Sequence, residues 1–313
     1  MKPKILFMGT PDFSIPALDL LVKNGYPVIG AVTQPEKPKG RGKKRAPTAV
    51  KLYAEAAGIP VYEPERVRSE SFLETFRMLA PDMVVLVAFG QILPSEIINS
   101  PPLGCINLHP SLLPHLRGAA PIHWAIIRGE KKTGVTIIKM DEGVDSGDIL
   151  LQEETEIDPL ESFGELSVRL AAIGARMLIK SVGQVVDGIA RPISQDSSAA
   201  TYAPRLSQEM GHIDWRQSSK EIVNLIRGLS PSPGAFTFLR DKKLKIYQAL
   251  AGDQEASGEK EPGRVGRLFE SGLQVMAGDG HVYLREIQLE GRKRMSVADF
   301  LRGNAISSED VLE

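Results

Sequence analysis

An α/β domain on a mostly parallel, Rossmann-like sheet, followed by a smaller OB-like β-barrel, is the architecture this sequence predicts. Three observations carry that prediction. Short apolar runs alternate with helix-spaced segments up to Val186, the pattern of parallel strands joined by crossover helices. A stretch without period, holding Pro192, Pro204, Ser194, Asp196, Ser197 and Ser198, then interrupts it. Beyond it come short strands separated by turn signals, the habit of a small barrel. A chain of 313 residues has room for two domains, placed here at 1–189 and 209–313 with 190–208 as linker.

Taken in order, 4–8 reads as a buried strand, and Ile15, Leu18, Leu21 and Val22 are spaced for a helix over 14–24. A second strand at 28–32 leads into a basic loop, and 48–57 reads as a helix. Residues 83–88 and 105–108 are further buried strands, 136–139 and 149–153 two more around a Gly/Asp-rich turn, and 163–186 a long amphipathic helix. After the linker a helix at 219–229 precedes strands at 235–239, 244–249, 272–276 and 282–287, with 253–263 as a hairpin loop.

Composition narrows the function classes. Apolar residues make up 42% and charged residues 25%, ordinary for a globular chain. The longest apolar run, Met83 to Phe89, is seven residues and far too short to span a membrane. Ile5 to Met8 is too short for the apolar core of a signal peptide. Cys105 is alone, which excludes an intrachain disulfide framework and a cysteine-cluster metal site. A soluble, cytoplasmic, cofactor-light protein is therefore expected.

A net charge of −1 conceals an asymmetry. Between Gln34 and Lys51 stand seven cations (Lys37, Lys39, Arg41, Lys43, Lys44, Arg45 and Lys51) against one acid, Glu36. A solvated loop and a phosphate-contacting element both fit such a run. Residues 209–313 carry 15 basic against 16 acidic groups, yet cations gather at Arg240, Lys242, Lys243 and Lys245 and again at Arg292, Lys293 and Arg294.

The first strand-to-helix turn, Met8 to Ser14, lacks the second and third glycines that bring a pyrophosphate against the backbone, so nicotinamide binding has no support. More informative is the stretch from Gly104 to Pro121. Asn107 and His109 are two apart at the end of a strand, so both side chains leave one face. An amide donor beside an imidazole suits a tetrahedral oxyanion and a proton transfer. A strand-end cap and a structural histidine would give the same two residues. Asp145, at the tip of a polar turn, is placed to orient an imidazole or relay a proton, or simply to close an acidic turn. The run into Phe89 and Gly90 suits a flat heterocycle, or plain sheet core.

Together, Asn107 and His109, the Ser111-Leu112-Leu113-Pro114 run, Arg117 to Pro121, and Asp145 thirty-six residues after His109 resemble the 10-formyltetrahydrofolate-dependent formyltransferases. The resemblance also covers Met8 to Ser14, Thr33-Gln34-Pro35 with Gly40 to Lys44, Thr201 to Pro204, Ile213-Asp214-Trp215 and Met295 to Phe300. It thus reaches the C-terminal domain that the smaller glycinamide ribonucleotide formyltransferases lack, which resembles the tRNA-directed branch. What it implies is specific. Asn107, His109 and Asp145 would be catalytic; Ser111, Leu112, Leu113 and Pro114, with Phe89 and Gly90, would hold the folate; Arg41, Lys43, Lys44, Lys242, Lys243 and Lys245 would meet tRNA. The donor would be 10-formyltetrahydrofolate as cosubstrate, with no metal, and the acceptor initiator methionyl-tRNA. A small amine or amino sugar as acceptor is the alternative.

Overall fold

The computed structural model describes residues 2–39, 44–252, 261–304 and 306–313. Two compact units emerge. The first comprises residues up to Pro121 together with 133–155 and 167–204; the second comprises 122–132, 156–166 and 205–313. Packing therefore groups two short stretches from the middle of the chain with its last third.

In chain order the elements are β1 (Ile5–Gly9), α1 (Ile15–Lys23), β2 (Val28–Val32), β3 (Lys37–Lys39), β4 (Lys44–Ala46), α2 (Ala49–Ala56), β5 (Val61–Tyr62), α3 (Glu70–Leu79), β6 (Met83–Val87), α4 (Ser95–Asn99), β7 (Cys105–His109) and β8 (Arg117–Gly118). There follow α5 (Pro121–Ile127), β9 (Lys132–Lys139), β10 (Ile149–Glu156), α6 (Phe163–Val186), β11 (Tyr202–Ala203) and α7 (Ser219–Leu229). The chain ends in β12 (Ala235–Leu239), β13 (Lys242–Ala251), β14 (Val265–Phe269), β15 (Gly272–Ala277), β16 (Gly280–Leu289), β17 (Met295–Ser296) and α8 (Val297–Leu301). No helix among the described residues is long and apolar enough to cross a membrane.

The first unit is built on a seven-stranded sheet of order β10-β9-β7-β6-β1-β2-β5. Strands β5, β2, β1, β6 and β7 run parallel and β9 antiparallel to β7. The chain winds outward from β1 to β5 and returns to add β6 and β7 on the other side. That reversal makes a crevice at the carboxyl ends of β1 and β6, where open α/β sheets take their ligands. Strands β1, β6 and β7 are buried at every position, β1 and β6 as their unbroken apolar runs require and β7 with its two polar residues buried as well. Each such buried Val, Leu or Ile contributes about 1.5–3 kcal/mol.

Two local devices shape the crevice. Ser14 Oγ donates to the Val87 carbonyl at 2.7 Å and Thr10 Oγ1 to the Phe89 carbonyl at 2.9 Å, tying the first turn to the end of β6. Gly9 is small for this packing: a Cβ there would lie 2.8 Å from the Phe7 ring and 2.9 Å from Ser14. On the other side of β7, Leu108 packs under α6, where Gly174 lets the helix approach; a Cβ at 174 would come within 2.7 Å of Leu108. Leu108 inward to α6 leaves its neighbours Asn107 and His109 on the opposite face.

Cys105 opens β7, fully buried, with Sγ 3.5 Å from Met140 Sδ. Burial pushes its thiol well above the ordinary cysteine range. Iodoacetamide should therefore leave the native protein unlabelled at pH 8 and modify it once denaturant unfolds β7, as read by mass spectrometry.

In the second unit a six-stranded sheet runs β12-β13-β16-β15-β14 with β17 beside β16. Its two edges both meet the C-terminal segment. Phe238 and Glu313 exchange backbone hydrogen bonds at 2.9 and 3.1 Å, while Leu312 donates to the Gly263 carbonyl at 2.8 Å and Val265 to Asp310 at 3.0 Å. The C-terminal segment thereby bonds to both edges of the sheet, at Phe238 of β12 and at Val265 of β14, and bridges them in the manner of a small barrel. Helix α7, started by a Ser218/Glu221 capping box, buries Ile222, Ile226 and Leu229 in the core with Ile246, Leu284 and Phe300.

Sequence periodicity did not disclose several elements. Strands β3 and β4 pair as a hairpin inside the basic segment, Lys37 opposite Ala46 and Lys39 opposite Lys44, where a loop was expected. Its cations hide the strand pattern. Helices α3, α4, α5 and α8 and strands β5 and β14 are short or interrupted by charge, so their periods do not stand out.

Candidate active site and a cationic face

The site forms where β7 ends. Asn107 and His109 are 6% and 3% exposed, held from behind by Leu108 under α6. Asp145 comes to them from the turn between β9 and β10. Its Oδ1 accepts from Asn107 Nδ2 at 3.2 Å and lies 3.5 Å from His109 Nδ1, while its Oδ2 accepts from the Gly118 N–H at 2.8 Å. The structure thus brings these three sequence-expected residues together.

The proton arrangement follows from the acceptors. His109 Nε2 lies 3.0 Å from the Leu116 carbonyl, which can only accept, so Nε2 carries the hydrogen. Neutral His109 then has a bare Nδ1 facing the Asp145 carboxylate, with room for one proton between them. Asn107 spends one amide hydrogen on Asp145 and has a second to give. A reacting centre here would find an amide donor and a proton-accepting pair side by side.

Backbone geometry serves this grouping. Asp145 sits at φ +50°, Leu116 at +59° and Gly118 at +118°. Gly118 belongs at its position for a second reason: a Cβ would lie 2.9 Å from the Ala203 carbonyl. Non-glycine residues in the left-handed region are strained and persist where surrounding contacts enforce them.

Those contacts come from residues 190–204, which lack any period in the sequence. Ile193 exchanges backbone hydrogen bonds with Ile149 at 2.8 and 2.9 Å, and Ser194 Oγ donates to Asp148 Oδ1 at 2.9 Å. Thr201 Oγ1 accepts from the Leu116 N–H at 2.9 Å, and β11 pairs with β8, Tyr202 opposite Arg117 and Ala203 opposite Gly118. The segment expected as a linker lies as a strap on the first unit, bonded to both loops that hold His109 and Asp145. Sequence reasoning missed Leu116, Gly118 and this strap as site components. The Thr201 to Pro204 motif was the one signal that could have pointed to it.

The expected folate residues fall into two groups. Ser111 is fully buried, its hydroxyl donating to the His115 carbonyl at 2.6 Å. Thr136 Oγ1 donates to the Ser111 carbonyl at 2.6 Å and accepts from the Leu113 N–H at 3.1 Å, while Gln152 Nε2 donates to the Leu113 carbonyl at 2.9 Å. Leu112 and Pro114 stay partly exposed on this rigid frame. Phe89 instead turns its ring into the core among Leu86, Leu93 and Ile97, and Gly90 is exposed at φ +87°.

The second unit carries a separate surface. Strand β12 turns Phe236 and Phe238 outward, opposite Lys245 and Lys243 of β13. Lys243 Nζ lies 3.7 Å from the Phe236 ring centroid, and the Arg294 guanidinium 4.3 Å from the Tyr247 ring. Lys243, Lys245 and Arg294 therefore share one aromatic-studded face. Lys245 donates to the Pro233 carbonyl at 2.6 Å, and Lys242 is exposed at the strand's start. Arg240 is bonded to Asp310 through two 2.7 Å contacts. Of the other expected tRNA contacts, Arg41 and Lys43 lie outside the described residues, and Lys44 is described only as backbone in β4. Lys51, also in the basic run, is bound by Glu36 and Glu63 at 2.9 and 2.8 Å.

Comparison with known proteins matches the whole chain. The formyl transferase family profile covers residues 1–182 and the formyl transferase C-terminal domain profile 205–305. The methionyl-tRNA formyltransferase of Syntrophus aciditrophicus (strain SB) is 52% identical over 311 residues, spanning 99% of each chain. That of Bacillus velezensis is 47% identical over 312 residues, 99% of this chain and 97% of the relative. Among solved structures, the sugar 3N-formyl transferase WlaRD, obtained in the presence of dTDP and 5-N-formyl-THF, shares the fold. Its TM-score is 0.67 at 19% identity over 94% of this chain and 100% of its own. With both domains of the family matched in order and relatives alike from end to end, the chain belongs to the formyl transferase family.

Proposed function

We propose that this protein transfers the formyl group of 10-formyltetrahydrofolate to the α-amino group of initiator methionyl-tRNA, giving N-formylmethionyl-tRNA for translation initiation. The observation that carries the reading is the convergence of Asn107, His109 and Asp145 at the carboxyl end of β7. The 52% identity, over 99% of the chain, to a methionyl-tRNA formyltransferase supports the acceptor.

The amine lone pair attacks the formyl carbon, and its C=O becomes an oxyanion. The free amide hydrogen of Asn107 meets that charge, an interaction that strengthens as the charge develops. The ammonium proton released by the attacking nitrogen passes to His109 Nδ1, and the resulting imidazolium is stabilised by Asp145. As the tetrahedral carbon collapses, its bond to folate N10 breaks and N10 takes a proton from the same pair. A formamide and tetrahydrofolate leave, with the protons balanced. The Leu116 carbonyl keeps Nε2 protonated throughout, so the imidazole works through one nitrogen.

Binding divides between the two units. The frame from Ser111 to Pro114 offers partly exposed Leu112 and Pro114 to the folate, and Lys242, Lys243 and Lys245 offer charge to the tRNA backbone. Replacing Lys243 and Lys245 together by Ala should weaken tRNA binding and flatten the slope of log affinity against log salt. The change expected is about 0.7–0.9 per lost phosphate contact. Folate affinity should stay unchanged in a fluorescence titration.

An amino sugar acceptor would use the same catalytic set. The deciding experiment offers labelled 10-formyltetrahydrofolate with methionyl-tRNA, free methionine or a nucleotide-linked amino sugar. Transfer to methionyl-tRNA alone is expected; preferential transfer to the sugar would replace this reading.

A further inference from the structure

The Gln195 side chain joins the two loops that hold the catalytic pair. Its Nε2 donates to the carbonyls of Asp145 and Gly147 at 2.9 and 2.7 Å. Its Oε1 accepts from Arg117 Nε and Nη2 at 3.1 and 2.7 Å. Both hydrogens and both lone pairs of one amide are thus used. Arg117 is 5% exposed, and its neighbours on either side are the two that matter: Leu116, whose carbonyl fixes His109, and Gly118, whose N–H holds Asp145. A closed ring results. It runs from the Asp145 carboxylate through Gly118 to Arg117, across Gln195, and back to the Asp145 carbonyl.

We infer that Gln195 is a positioning residue for formyl transfer, acting through the Asp145 loop to set the distance between Asp145 and His109. The inference rests on the reaction proposed above. Two physical points support it. Asp145 is held at φ +50°, a conformation that a free loop would leave. The His109 to Asp145 contact at 3.5 Å is at the edge of useful range, so a small loop movement breaks it. Misplacing a reacting group by about 1 Å can cost on the order of a hundredfold in rate. The groups facing His109 are Asp145, Asn107 and the Leu116 carbonyl; Gln195 bonds the Asp145 loop directly and reaches the Leu116 segment only through the Arg117 side chain.

Gln195→Glu separates the two halves of the role. A carboxylate still accepts from Arg117, pairing its buried charge, but it repels the two carbonyls that the amide held. Gln195→Asn keeps both chemistries and is one methylene shorter. For Gln195→Glu, kcat with methionyl-tRNA should fall by about 10- to 100-fold while KM for both substrates stays within about threefold. In NMR the Gly118 amide should exchange with solvent at least about tenfold faster, because its acceptor is released. Gln195→Asn should lie between the variant and wild type on both readouts.

A kcat within threefold of wild type, or unchanged Gly118 exchange, would overturn the inference. So would loss of activity that merely tracks loss of folded protein in both variants, which assigns Gln195 a structural role only. If wild-type protein transfers no formyl to methionyl-tRNA, the proposed reaction fails, and the exchange comparison still decides the part played by Gln195.

Discussion

Asp145→Asn lowers the turnover of formyl transfer by on the order of a thousandfold, within the range that positioned acid–base groups supply. Two donors converge on this carboxylate, the Gly118 N–H on Oδ2 and Asn107 Nδ2 on Oδ1. An amide offers a single oxygen, so one donor must face an NH2 group. A buried donor left unmatched costs about 1–3 kcal/mol, and the loop relaxes to relieve it. At the same time His109 loses the negative charge that stabilises its imidazolium. Folate and tRNA affinity should change by less than about threefold, since neither substrate depends on that charge in the ground state. Steady-state kcat and separate binding titrations check both halves.

Asn107→Ala comes next, with turnover lower by about a hundredfold, or roughly 3 kcal/mol of transition-state stabilisation. Asn107 is assigned two tasks: its amide donates one hydrogen to Asp145 at 3.2 Å, and the second is the proposed oxyanion donor. Removing the amide takes away the oxyanion donor and one of the two hydrogen bonds to the Asp145 carboxylate, leaving that from the Gly118 N–H. Asn107→Asp should be worse than Ala, because it sets a second carboxylate beside Asp145 and aims an acceptor at the oxyanion. Single-turnover rates at saturating folate give the comparison; a variant order with Asp above Ala would remove the donor role from Asn107.

The difference between what sequence disclosed and what it did not has a physical origin. Asn107 and His109 were legible because a buried strand alternates faces every residue, so their spacing alone puts them together. The parallel sheet was legible for a related reason: β1 and β6 are unbroken apolar runs, and the helices between the strands keep their own period. Asp145 stood out as a carboxylate at the tip of a polar turn, but only family resemblance favoured the catalytic reading over an acidic turn, because such a turn has no period and its left-handed φ is invisible in the letters. The strap was harder still. Ile193, Ser194, Gln195 and Thr201 bind through a single bridge and isolated side-chain hydrogen bonds, which leave no repeating pattern. Its Pro and Ser content reads as a connection between domains. Likewise, 122–132 and 156–166 join the second unit by packing that links residues distant in sequence. Charge counts behaved the same way: Lys243, Lys245 and Arg294 reach one face because β13 and the β16–β17 turn meet there, while Arg240, adjacent in sequence, is taken by Asp310.

Pre-bound 10-formyltetrahydrofolate carrying a labelled formyl group, mixed with methionyl-tRNA in a single turnover, isolates the chemical step in wild-type protein and in Asp145→Asn at equal occupancy. Wild-type transfer at about 1 s⁻¹ or faster is expected, with the label recovered as N-formylmethionine after the tRNA is deacylated. The variant should transfer the same label to the same product on the order of a thousandfold more slowly. Equal rates in the two proteins, or label released as formate without reaching the methionyl amine, would contradict the assignment of formyl transfer to Asn107, His109 and Asp145.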